Sequence, residues 1–91
     1  MTKIRIRTLI WDDWNTEHIK KHNVAVAEVE DAANNISWHK KAKNGRYLAG
    51  GRSGRRILSL IIRRVKQTTY YVVTARDSDK EERMRLYEKE I

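Results

Sequence analysis

Ninety-one residues give one domain with one modest core, and the absence of cysteine excludes disulfides and thiolate metal sites. No apolar run approaches the ~20 residues that cross a bilayer, and no apolar signal segment follows the charged, alternating start of the chain, so a soluble cytoplasmic protein is expected. The formal charge of +8 is uneven: between Asp31 and Asp77 there is no carboxylate, while 11 Lys or Arg fall between residues 32 and 76.

The first element is a strand over residues 3–10, with Ile4 and Ile6 on one face and Lys3, Arg5 and Arg7 on the other. Asp12 or Asp13 then caps a helix, with Trp11 and Trp14 expected in the core. Trp14, His18 and either Lys21 or His22 fall one turn apart on it, and Asn23 marks its end. Val26, Val29 and Ala32 or Ala33 recur at helical spacing, which predicts a second short helix over residues 25–33.

Residues 36–43 read as a strand with Trp38 inward. Asn44-Gly45 is a hairpin turn signal, and residues 46–51 form the return strand. A second turn at residues 52–55 leads into residues 56–65, which are apolar on both faces like a buried central strand. A turn at Lys66-Gln67-Thr68 and a strand over residues 70–75 follow. Ser78 and Glu81 fit a capping box that opens a last helix to about Glu90, with Met84 and Tyr87 inward. Strands joined by short turns make an antiparallel sheet, so the class is α+β.

The one-signed middle of the chain attracts polyanions, and the obvious polyanion is a nucleic acid. Lys40, Lys41, Lys43, Arg52, Arg55 and Arg56 are the candidate contacts; the competing reading is a solvated basic surface.

Four blocks together resemble the BrnT toxin family. They are Trp11-Asp12 with Asn15, Ile19, Lys21-His22 and Val24; Gly45 to Ala49 with Gly51; Gly54-Arg55 before the apolar strand; and Thr74-Ala75-Arg76 with Glu82-Arg83 and Tyr87. The resemblance spans nearly the whole of residues 1–91. It implies a small RelE-like domain, with a twisted, mainly antiparallel sheet, two helices in the N-terminal half and one C-terminal helix. It further implies a ribonuclease toxin, metal-independent and without a cofactor, that acts on RNA and is held by a cognate DNA-binding antitoxin. Two positions depart from the family: Asn44 and Gly45 stand where relatives often carry a carboxylate before the arginine, and Leu86 stands where relatives tend to have the tyrosine.

Cleavage through the 2′-hydroxyl needs a base, an acid and cations that hold the phosphorane charge. Arg76 at a strand end is the first candidate for the phosphate clamp; an ion pair with Glu82 is its competing reading. Arg46 beside the tight turn is the second, with an exposed strand charge as the alternative. Lys21 and His22 are candidates for proton transfer, or merely cap their helix. Glu82 is expected to orient Arg76, and Tyr87 completes the set. The pair His18 and His22 lacks an evident third ligand, so no metal is expected.

Overall fold

The computed structural model describes residues 4–90. Strand β1 (Thr8–Ile10) leads through α1 (Asp13–Lys20) and α2 (Val26–Ala33) to β2 (Ile36–Lys41). Then come β3 (Arg46–Ser53), β4 (Arg56–Lys66), β5 (Thr69–Asp77) and α3 (Lys80–Glu90). The five strands form one sheet in the order β1-β5-β4-β3-β2, antiparallel except for the parallel β1–β5 pair. The α+β class and the mainly antiparallel sheet follow the expectation. Among the described residues no helix is long and apolar enough to cross a membrane.

The sheet has two unlike faces. Antiparallel partners share a face and residues alternate along each strand, so Leu58, Leu60 and Ile62 of β4 lie on one side with Ala49, Val72 and Ala75. This inner face packs against Ile19, Val24, Val29, Ala32 and Ala33 of the α1–α2 region in one core. Ser59, Ile61 and Arg63 point to the outer face, which α3 covers in part. The apolar character of β4 on both sides thus has two causes: a core beneath it and a helix above one end.

Two adjacent glycines let both faces close. A Cβ on Gly51 would lie 2.3 Å from the Ala32 carbonyl oxygen, so the end of α2 rests directly on bare backbone. A Cβ on Gly50 would lie 2.1 Å from Trp38 Nε1, because that indole lies across the strand from the other side.

Asn15 joins the first helix to the sheet. Its Oδ1 accepts from the Asp12 amide while Asp12 accepts from the Asn15 amide, both at 2.9 Å, closing a reciprocal cap. Its Nδ2 donates to the Ile10 carbonyl at 2.9 Å and the Val72 carbonyl at 3.0 Å, so a fully buried amide holds β1, α1 and β5 together. The helix ends at Lys20 with Lys21 as its C-cap, and the expected stop at Asn23 closes the turn that follows: Asn23 takes the left-handed conformation (φ 59°) while Val24 N–H reaches back to the Ile19 carbonyl.

Several expectations are corrected. Only Thr8–Ile10 of the first strand is regular; Ile4 and Ile6 pack on the core without pairing, and residue 3 lies outside the described residues. Trp14 is 57% exposed and stacks on His18, whereas Trp11, half-buried, does pack against the core and donates to Glu30. The last capping box is shifted by one: Asp79 and Glu82 exchange the two bonds, at 2.9 Å each. That shift rotates α3, so Glu82 and Leu86 turn inward while Met84 and Tyr87 are exposed.

Asn15→Ala takes this donor from the buried Val72 carbonyl and the part-buried Ile10 carbonyl and removes half of a helix cap. The expected loss is about 2–4 kcal/mol, read as a fall in the urea midpoint and in Tm; a variant as stable as the parent overturns this account of Asn15.

Candidate nucleic-acid interface

The outer face has a covered end and an open end. α3 lies over Trp38, Gly50 and Ser59, where Arg85 sits 5.3 Å above the Trp38 ring. Beyond it the same face carries Lys40, Arg46, Leu48, Ile61, Arg63, Tyr71 and Thr74, placed there by strand register.

At the boundary stands a compact polar node. Arg76 grips Glu82 with two parallel bonds of 2.7 and 2.9 Å. Glu82 Oε1 also accepts from Ser59 Oγ at 2.8 Å, and Ser59 Oγ lies 2.7 Å from Ser78 Oγ. Burial alone would raise the Glu82 carboxyl, but Arg76, the Asp79 amide and the Ser59 hydroxyl override it and hold Glu82 at about 2. Glu82 is therefore an anion at any physiological pH, and it fixes Arg76 rather than exchanging protons. Arg76 itself keeps a third of its side chain open to solvent.

Only part of the expected site is brought together. Arg76 and Glu82 are in contact. Arg46 pairs in register with Arg63 and Arg76 with Ser59, four residues apart along β4, about 13 Å at ~3.3 Å per residue. Lys21 and His22 follow α1 on the inner side; His22 meets His18 edge-on, and the neighbouring Asn23 carbonyl accepts from Arg56 at 2.8 Å. Tyr87 turns toward Arg52, whose guanidinium lies 6.0 Å from its ring. The buried Leu86 thus occupies the place one helical step earlier.

The cations expected to meet nucleic acid divide likewise. Arg56 spends its donors on Asp77 at 2.7 Å and Glu28 at 2.9 Å, tying β4, β5 and α2. Arg52 is bound to Glu90 of α3. Arg55 is exposed in the β3–β4 turn. Lys40, Lys41 and Lys43 stand exposed on the β2–β3 hairpin beside Arg46. Among the described residues, ion pairs engage Lys20, Arg52, Arg56 and Arg76, and none engages Lys40, Lys41, Lys43, Arg46 or Arg63. Among those residues, too, no three of the metal-ligating types His, Cys, Asp and Glu are grouped to hold an ion.

Sequence reasoning missed Ser59 and gave Ser78 only a capping role. The signal was present in Ser59, a lone hydroxyl inside an apolar strand, where a buried polar group requires a partner.

The chain matches no protein-family model and no curated protein. In three dimensions it is similar to the crystal structure of the Brucella abortus ribonuclease toxin BrnT, with a TM-score of 0.62 and 23% identity, over 86% of this chain and 100% of that one. The chain has the BrnT fold. The likeness read from four sequence blocks therefore holds for the architecture. In this chain the fold carries both the node at α3 and the open basic face described above.

Acid should expose the node. Glu82 lies near 2 in the folded protein against an ordinary 4.5, so its stabilisation is present above pH 4.5 and is lost as pH falls toward 2. The span corresponds to roughly 3 kcal/mol. Glu82→Gln should lose most of that at pH 7 and show a flatter stability profile between pH 5 and pH 2.5, measured by urea unfolding. An unchanged profile would refute the role given to this carboxylate.

Proposed function

We propose that this protein is the toxin of a toxin–antitoxin pair, a cytoplasmic, metal-independent endoribonuclease that grips RNA on the open outer face. The observation that carries this reading is the run of unpaired cations on that face, from Lys40, Lys43 and Arg46 across to Arg63, ending at the Arg76–Glu82 node. The BrnT fold supports it, since the Brucella protein of that fold is a ribonuclease toxin.

In the reaction the 2′-hydroxyl gives its proton to water and its oxygen attacks phosphorus, the bond to the 5′-oxygen breaks and that oxygen takes a proton from water, a 2′,3′-cyclic phosphate remains, and charge gathers on the phosphoryl oxygens on the way. Arg76 meets that charge. Its planar fork matches phosphate oxygens, and Glu82 holds it in place before substrate arrives. The hairpin cations take neighbouring phosphates. A cognate antitoxin that binds DNA would silence the toxin by covering this basic surface.

A second reading has its own support. Arg46, Lys21, His22 and Tyr87 do not converge on Arg76, and Asn44-Gly45 supplies no carboxylate, which favours a nucleic-acid binder of the same fold that does not cut.

The assay is purified protein with end-labelled RNA in EDTA. The toxin reading expects fragments from the wild type, and at least a hundredfold slower cutting by Arg76→Lys, which keeps a cation for Glu82 but loses the fork. Retention of RNA with no fragments selects the binder. In both cases affinity should fall steeply as salt rises, because phosphate contacts release counterions.

A further inference from the structure

On the open face a single row crosses three strands. Arg46 of β3 stands directly opposite Arg63 of β4, and Arg63 stands directly opposite Tyr71 of β5. Two like charges opposite each other on neighbouring strands destabilise a sheet. No described carboxylate pairs with either arginine to relieve the repulsion. The opposition of Arg46 and Arg63 is thus left uncompensated by any described carboxylate, and a polyanion bound on this face would relieve it.

The third member of the row gives that polyanion a character. The Arg63 guanidinium carbon lies 5.3 Å from the centroid of the Tyr71 ring, a planar cation over an aromatic face. The Tyr71 hydroxyl donates to the Asp12 carboxylate, at 2.9 Å to Oδ2 and 3.1 Å to Oδ1, which fixes the ring against the start of α1. Asp12 stays ionised, since the Asn15 amide and the Tyr71 hydroxyl hold its carboxyl below the usual range. Beside the pair lie the half-buried side chains of Ile61 and Leu48, an apolar floor under a cationic rim. Phosphates alone need no such floor and no ring. A flat apolar group joined to a phosphate needs both.

We propose that Arg63 and Tyr71 form a stacking subsite for one unpaired nucleobase, with Arg46 on the adjoining phosphate, so that the open face selects single-stranded over duplex RNA. This rests on the reading of the face as an RNA surface and adds the form of RNA it takes. A base held in a duplex keeps its faces buried against its neighbours and cannot enter.

The test is binding of the intact protein to a fluorescent RNA decamer, 2′-O-methylated to block cleavage, followed by anisotropy. Tyr71→Ala should weaken binding of the single strand roughly 5- to 100-fold and leave binding of the matching duplex unchanged. Tyr71→Phe, which loses the bond to Asp12 but keeps the ring, should stay within about threefold of wild type. An abasic site moved along the decamer should, at one position, lower wild-type affinity to the level of Tyr71→Ala and do nothing further to that variant. Equal binding by Tyr71→Ala and wild type overturns the subsite, as does an equal loss in Tyr71→Phe or an equal loss on duplex. Arg46→Ala separates the two claims. If it weakens binding while Tyr71→Ala does not, the subsite alone fails; if neither variant matters, the RNA surface itself fails.

Discussion

The last helix depends on one buried carboxylate. α3 turns only Leu86 and Glu82 fully inward, and burying one leucine contributes about 2 kcal/mol, too little to hold an eleven-residue, highly charged helix. Glu82 is the most buried of its polar anchors: it accepts from Arg76, from Ser59 and from the Asp79 amide at the helix start, while Arg52 with Glu90 and Arg85 over Trp38 add contacts nearer the solvent. Capping, docking and the orientation of the most promising phosphate ligand are one interaction. The two partners are not equivalent: Glu82 is buried, so removing Arg76 leaves it an uncompensated charge, whereas Arg76 left alone still reaches solvent.

That anchoring decides which part of the sheet remains open. α3 starts beside β5 and ends near Arg52, so it shelters the half of the outer face that holds Trp38 and Gly50. The other half, where carboxylates are absent from the sequence, is left to solvent. The inner face needs no such arrangement, since α1 and α2 bring enough aliphatic surface to cover it. Basic surface and core are therefore the two sides of the same three strands, and β4 contributes alternate residues to each.

Much of this was legible beforehand. Asn44-Gly45 located the β2–β3 hairpin because few sequences accept positive φ at adjacent positions, as both do here. The apolar run of β4 announced a central strand. The acid-free middle located the basic face. What failed did so for identifiable reasons. Ser78 and Asp79 are both good caps, and only the neighbouring Ser59 and Arg76 decide between them; the one-residue error carried Met84 and Tyr87 to the wrong side. Trp14 was placed in the core by type, yet Asn15 occupies the inward position beside it because only an amide can bridge two carbonyls. The convergence of site residues could not be read at all, since Arg46 and Arg76 lie on different strands whose register is a long-range property. The Arg46–Arg63 opposition is invisible for the same reason.

The parallel pairing of β1 with β5 has a consequence for how the molecule comes into being. Thr8 is matched to Thr69, and the Asn15 amide reaches the Val72 carbonyl, so the opening segment finds its seat only beside a strand synthesised some sixty residues later. Until that strand emerges, α1 has no sheet to lie on and β1 has no neighbour. Such distant contacts slow folding, because a long loop must close before they reward it. In the growing polypeptide the first strand and helix thus wait for β5, while the β2–β3–β4 hairpins that carry Lys40, Arg46 and Arg63 pair locally before it.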